Sequence, residues 1–67
     1  MITQERKDQL RAAGYKIEDM RAVWGKQFHG QFRWLNNRHE GDGFGNVQYG
    51  VEDAWFDAHQ FEARYGY

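Results

Sequence analysis

The chain contains no cysteine, and Thr3 is its single residue of the serine or threonine type. Without thiols, neither a disulfide bond nor a thiolate metal site can form. Acyl transfer by a serine or cysteine nucleophile is therefore nearly excluded. The sequence also lacks an apolar run near 18 residues and a charged-then-apolar leader, so we expect no membrane span, no secretory signal and a cytoplasmic protein.

Other catalytic and metal-binding patterns are also missing. The histidines, His29, His39 and His59, have no recognised metal-ligand spacing. The glycine-rich segment 41–46 lacks the Lys-Ser/Thr pair of a phosphate-binding loop, and its acidic residues lack the ligand intervals of a calcium loop. We predict no metal, no cofactor and no enzymatic activity. A small enzyme is the third class considered, and only a deep pocket with perturbed acids would favour it.

Aromatic residues are abundant: the 67 residues include three tryptophans, four tyrosines and five phenylalanines. Each can bury about 150–250 Å², which compensates for the small core that so short a chain forms. No repeat or linker interrupts the sequence, so we predict a single domain over residues 1–67.

Charge is divided unevenly along the chain although the net charge is only −1, which disfavours generic nucleic-acid binding. Residues 1–39 hold eight Lys/Arg against four Asp/Glu, and residues 40–67 hold one against six. Two interpretations remain open: the opposite charges face each other within the fold, or the molecule has a functional polarity.

Residues 20–35 carry many of the large apolar side chains and predict a β-hairpin. A three-residue turn places Trp24 opposite Phe28 and Met20 opposite Phe32, so that one face of the hairpin is aromatic. We expect this face to be buried. The predicted core consists of four mutually buried side chains: Trp24, Phe32, Trp34 and Trp55.

Two alternatives remain for this segment. A turn one residue shorter pairs Val23 with Phe28 and divides the aromatic residues between both faces, which a buried face disfavours. A helix is the other alternative, because Ile17, Met20 and Trp24 recur at helical spacing.

The N-terminal region predicts a helix over residues 4–13. Thr3 suits the N-cap position, and Gly14 suits the left-handed residue that ends a helix. Most of the intervening residues are polar, so this helix can cover a sheet only with a narrow apolar stripe.

After the hairpin, residues 36–46 form a glycine- and asparagine-rich loop, and a short third strand follows at 47–49. Gly50 then caps a second helix from Val51 to about Arg64. The predicted fold is an α+β domain in the order α-β-β-β-α, with a three-stranded antiparallel sheet covered by helices on one face.

The outward face of the predicted hairpin carries alternating basic and polar side chains, with further residues at its rim. Such a face suits an acidic protein patch or a phosphate backbone, although an ordinary solvated face is the simpler interpretation. A protein partner is preferred because the aromatic residues that a nucleic-acid platform needs are expected to point inward. The predicted partner-binding residues are Arg21, His29, Gln31, Arg33, Arg38 and Phe44.

The second helix offers an alternative contact surface. It carries four acidic residues that could mimic a polyanion and compete for a basic groove, although such a group is more often a solubilising surface. These residues are Glu52, Asp53, Asp57 and Glu62.

Three segments, 13–17, 30–36 and 51–58, together with the small size and the helix–strands–helix order, resemble the small accessory proteins that phages and prophages encode. The resemblance implies a protein that binds a host protein or protein complex in the bacterial cytoplasm. It further implies an inhibitor or modulator of a target such as a CRISPR-type or other defence system. It brings no activity and no site residue with it.

Overall fold

The computed structural model describes residues 2–36 and 43–65. Its elements are α1 (Gln4–Ala12), β1 (Tyr15–Asp19), α2 (Met20–Trp24), a 3₁₀ turn (Lys26–Phe28), β2 (Gln31–Asn36), β3 (Gln48–Tyr49) and α3 (Val51–Tyr65). The strands form one antiparallel sheet in the order β1-β2-β3. The predicted α+β class and the order of the main elements are confirmed, with α2 and the 3₁₀ turn added between the first two strands.

The N-terminal helix begins and ends where its capping residues predict. The Thr3 hydroxyl oxygen accepts a hydrogen bond from the backbone N–H of Arg6 at 3.1 Å, which satisfies one unpaired donor of the first turn. Gly14 follows the helix with a φ of +103°, a conformation that side chains other than glycine rarely adopt. The fully buried Leu10 attaches α1 to the core.

The preferred prediction, the register with a three-residue turn, is wrong: β1 and β2 pair one residue away from it. Ile17 lies opposite Trp34, and Glu18 lies opposite Arg33. This pairing corresponds to the alternative with the shorter turn. The physical reason is that the chain leaves the sheet at Met20, so the inward face of β1 is set by Tyr15 and Ile17.

The segment after β1 is helical. The Asp19 side chain accepts a hydrogen bond from the backbone N–H of Arg21 at 3.0 Å and so caps the start of α2. Met20, the first residue of α2, is fully buried. Gly25 ends α2 with a φ of +114°. The helical alternative is therefore correct for residues 20–24, and the predicted strand is not.

The core lies between the sheet and helices α1 and α3, and Trp34 is at its centre. The Trp34 ring packs edge-on against Tyr15, with 5.2 Å between the ring centroids. It also contacts the Phe61 ring in a tilted arrangement, with 4.7 Å between the centroids. Of the four predicted core residues, Trp34 and Trp55 are buried. Phe32 is only half-buried, and the prediction for Trp24 is wrong because α2 holds this side chain 45% exposed. The buried cluster is Ile2, Leu10, Tyr15, Trp34, Trp55 and Ala58.

A hydrogen bond connects the centre of the sheet to α3. The indole Nε1–H of Trp34 donates to Asp57 Oδ2 at 3.0 Å. The Gly45 backbone lies beside this pair, and its N–H donates to the Trp34 carbonyl at 3.0 Å. A Cβ at Gly45 would overlap the indole and would lie 2.6 Å from Asp57 Oδ2. Position 45 therefore requires glycine, because the backbone lies too close to Trp34 and Asp57 for a side chain to fit.

The region before α3 agrees in part with the prediction. The third strand is present at Gln48–Tyr49, and Phe44 forms an additional antiparallel bridge with Leu35. The predicted loop over 36–46 begins inside β2, because Asn36 is the last residue of that strand and its N–H donates to the Gly43 carbonyl at 2.7 Å. Residues 37–42 of that loop lie outside the described residues.

Removing the acceptor of the Trp34 indole should destabilise the fold. We expect Asp57→Ala to lower the free energy of unfolding by about 1–3 kcal/mol, because the buried N–H loses its partner. Asp57→Asn is the matched control, since its amide oxygen can still accept, and it should lose clearly less. Urea denaturation measures both. Equal stability of Asp57→Ala and the parent would contradict the role of this bond.

A methyl group at position 45 should also be costly. The Gly45 backbone is not left-handed, so Gly45→Ala tests steric overlap alone. We expect a loss of about 1–3 kcal/mol, the range for overpacking a filled site. Asn46→Ala, at the exposed neighbouring residue, should change stability little. Thermal melting of both variants checks this, and indistinguishable melting temperatures would refute it.

Candidate functional site

The face of the sheet opposite the helices, here called the open face, is the candidate site. In the observed register the side chains that share this face alternate with those of the core. Phe44 joins them through its bridge with Leu35. The open face consists of Lys16, Glu18, Gln31, Arg33, Leu35, Phe44 and Tyr49.

Arg33 lies at the centre of a small cluster on the open face. Its Nε–H donates to Glu18 Oε1 at 2.6 Å, directly across from it on β1. Its guanidinium carbon lies 4.7 Å from the ring centroid of Phe44 and 5.4 Å from that of Trp24, within the range of cation–π attraction. Three side chains thus fix the orientation of the guanidinium.

The helical turn after β1 is the reason that Trp24 belongs to this cluster. Because α2 and the 3₁₀ turn take the chain out of the sheet, Trp24 returns over β2, where Phe28 packs edge-on against it at 5.1 Å between ring centroids. An aromatic ring that the pattern assigned to the core is therefore placed beside Arg33.

Large aromatic side chains are exposed on and around the open face. Phe44 is 54% exposed, and Tyr49, which lies opposite Gln31, is 79% exposed. The prediction that the aromatic residues beside the basic face point inward is wrong for Trp24, because the chain leaves the sheet at Met20 and α2 places this ring beside Arg33. Phe44 was predicted as a contact residue at the rim, and Tyr49 was assigned to neither face.

The structure brings together three of the six predicted partner-binding residues, Gln31, Arg33 and Phe44. Arg21 is exposed on α2 and His29 is exposed after the 3₁₀ turn, so their predicted strand positions are wrong. Arg38 lies outside the described residues.

Sequence reasoning missed Glu18, Trp24 and Tyr49 as members of this surface. One signal was available, because the shorter-turn register places the opposite charges of Glu18 and Arg33 directly across from each other, and such pairs stabilise a sheet.

The acidic side chains of α3 do not form one uniform solvated surface. Asp57 accepts the Trp34 indole hydrogen bond, and Glu52 forms an ion pair with Lys7 of α1. Some of the opposite charges of the two halves therefore face each other within the fold. Within the described ranges, no group of three potential His, Cys, Asp or Glu ligands is arranged to hold a metal ion.

Comparison with known proteins finds no matching family model, curated protein or solved structure. In the described part of the chain, no helix is sufficiently long and apolar to span a membrane.

The Glu18–Arg33 pair should contribute measurably to stability. Both side chains are about one-fifth exposed, at 21% and 18%, so solvent screens the pair less than an exposed one. A double-mutant cycle of Glu18→Gln and Arg33→Gln should give a coupling energy of about 1 kcal/mol in urea denaturation.

The Asp8–Arg11 pair is the matched control, since its side chains are 65% and 52% exposed. Its coupling energy should not exceed about 0.5 kcal/mol. If the two cycles gave the same coupling, Arg33 would be no better fixed than a surface side chain.

Proposed function

We propose that this protein is a non-catalytic binding protein that docks its open face on a host macromolecule in a stoichiometric complex. The observation that carries the proposal is the cation–π contact of Arg33 with both Phe44 and Trp24 on the sheet face opposite α1 and α3. Arginine and aromatic side chains are the residue types that contribute most energy at the centres of protein interfaces.

The remaining hydrogen-bonding capacity of Arg33 supports this use. Glu18 receives the Nε–H, and the two Nη groups donate to no other side chain or carbonyl of the described residues. A partner carboxylate fits these two groups in a paired geometry. Because the surrounding rings already restrict the guanidinium, binding loses less side-chain entropy.

A protein surface is the preferred partner. The Arg33 charge is balanced by Glu18, and the whole chain has a net charge of −1. Both features weaken the long-range attraction that non-specific phosphate binding requires. Exposed rings around a neutralised ion pair instead suit a mixed apolar and polar protein patch with a few acceptors.

The resemblance of the chain to small phage and prophage accessory proteins extends the proposal. The protein is encoded by a phage, acts in the cytoplasm of its bacterial host, and inhibits or modulates a host complex such as a CRISPR-type defence system. Occupation of the target surface, with no chemical change of the target, is the mode of action that a stoichiometric binder of this size supports.

The test compares two matched pairs of aromatic substitutions in the full chain. Phe44→Ala with Tyr49→Ala removes exposed rings from the open face, and Phe56→Ala with Tyr65→Ala removes similarly exposed rings from α3. Each variant is immobilised, and proteins captured from bacterial lysate are quantified by mass spectrometry. We expect the open-face variant to lose at least about tenfold of the captured partner, with the α3 variant unchanged. The reverse result would contradict the proposal.

Single-stranded nucleic acid is the second candidate partner, because Trp24, Phe44 and Tyr49 offer exposed rings near Arg33 and bases stack on such rings. A mobility shift with single-stranded DNA or RNA separates the two functions. A salt-sensitive shift that Phe44→Ala with Tyr49→Ala abolishes would favour the nucleic-acid function over the protein-binding one.

A further inference from the structure

A groove of about 580 Å³ runs along β1. It is lined by the inward-facing Ile17 as well as the outward-facing Lys16, so it follows the edge of the strand. Its wall is apolar: Ile17 and Phe32 are half-buried, Val51 is exposed, and the ring of Trp55 lies deeper. Since β1 is the last strand on this side of the described sheet, its outer edge is a template for a further strand.

Charges along this edge change sign about Ile17. Lys16 precedes Ile17 and Glu18 follows it, both on the open face. On the groove side, Arg11 lies 4.9 Å above the Trp55 ring, and Asp19 lines the groove beyond Ile17. On each face of the sheet, therefore, a cation lies toward the N-terminal end of β1 and an anion lies toward its C-terminal end.

We propose that this edge binds a second copy of the chain, and that the two β1 strands pair antiparallel about a two-fold axis at Ile17. An isologous contact presents the same patch twice and requires self-complementarity. In this pairing Lys16 lies opposite Glu18 of the second copy, and Glu18 lies opposite Lys16 of the second copy. On the groove side, Arg11 approaches Asp19 of the second copy. The two three-stranded sheets become one antiparallel sheet.

Burial excludes a register shifted by one residue. Pairing about Ile17 places inward-facing residues opposite inward-facing ones, so the two apolar groove walls meet. A shift by one residue would place apolar side chains opposite solvent-facing ones, which buried faces disfavour. Among the described residues, Arg33 donates only to Oε1 of Glu18, so Oε2 can accept from Lys16 of the second copy. The pairing shares Lys16 and Glu18 with the open face, but it leaves the rings of Phe44 and Tyr49 uncontacted.

The test uses charge reversal and mixing. Lys16→Glu leaves two anions at the paired positions, and Glu18→Lys leaves two cations, so each variant alone should dimerise at least about tenfold more weakly than the parent. An equimolar mixture of the two variants restores both opposite-charge contacts and should recover the dimer. Lys26→Glu, at an exposed residue outside the groove, is the matched control and should dimerise like the parent. Sedimentation velocity measures the parent, the three variants and the mixture from low micromolar to millimolar concentration.

A second measurement keeps the proposal falsifiable if Glu18→Lys fails to fold. On dilution of the parent chain, amide chemical shifts should change over residues 15–19 and the Trp55 indole. A parent that stays monomeric at millimolar concentration would overturn the proposal. So would shift changes confined to Arg33 and Tyr49, or folded variants whose mixture does not dimerise. The capture experiment changes Phe44 and Tyr49 and leaves Lys16 and Glu18 intact, so the two hypotheses fail separately.

Discussion

The contact of Trp34 with Asp57 is the interaction on which the rest of the structure depends. Trp34 belongs to the central strand, Asp57 to α3, and Gly45 brings the chain before β3 against both. A small domain has little apolar area to bury, so the position of one large ring determines how closely the layers approach. The buried indole N–H needs a fixed acceptor, and this requirement sets the rotation of α3 over the sheet.

Capping residues made the ends of the main helices predictable, because their effect is local. Thr3 and Gly14 bracket α1, and Gly50 precedes α3. The register of β1 and β2 was not predictable from the alternation of apolar residues, because that alternation continues past Asp19 whereas the strand ends there. The Asp19 side chain caps α2, and this competing local preference ends the strand. Met20 is buried as the apolar pattern indicates, but from the first turn of α2 and not from a strand.

The open face illustrates the same limit at the level of the candidate site. The sequence supports Arg33 as an outward-facing cation, but it does not show that Glu18 neutralises it and that two rings hold it. Under the proposed function, this cluster would recognise a partner at contact, whereas a basic stripe would do so by long-range attraction. Specificity would then come from shape and from a few oriented donors, and association would depend only weakly on ionic strength.

The three tryptophans occupy three distinct environments. Trp34 is buried and donates to a carboxylate, Trp55 is buried beneath the Arg11 guanidinium, and Trp24 is half-exposed beside Arg33. The intrinsic fluorescence of the folded chain is consequently a sum of separable signals. An aqueous quencher reaches Trp24 preferentially, so the accessible fraction of the fluorescence reports solvent access to the open face, while the shielded fraction reports integrity of the core. The molecule thus carries separate optical probes of the open face and of its folding.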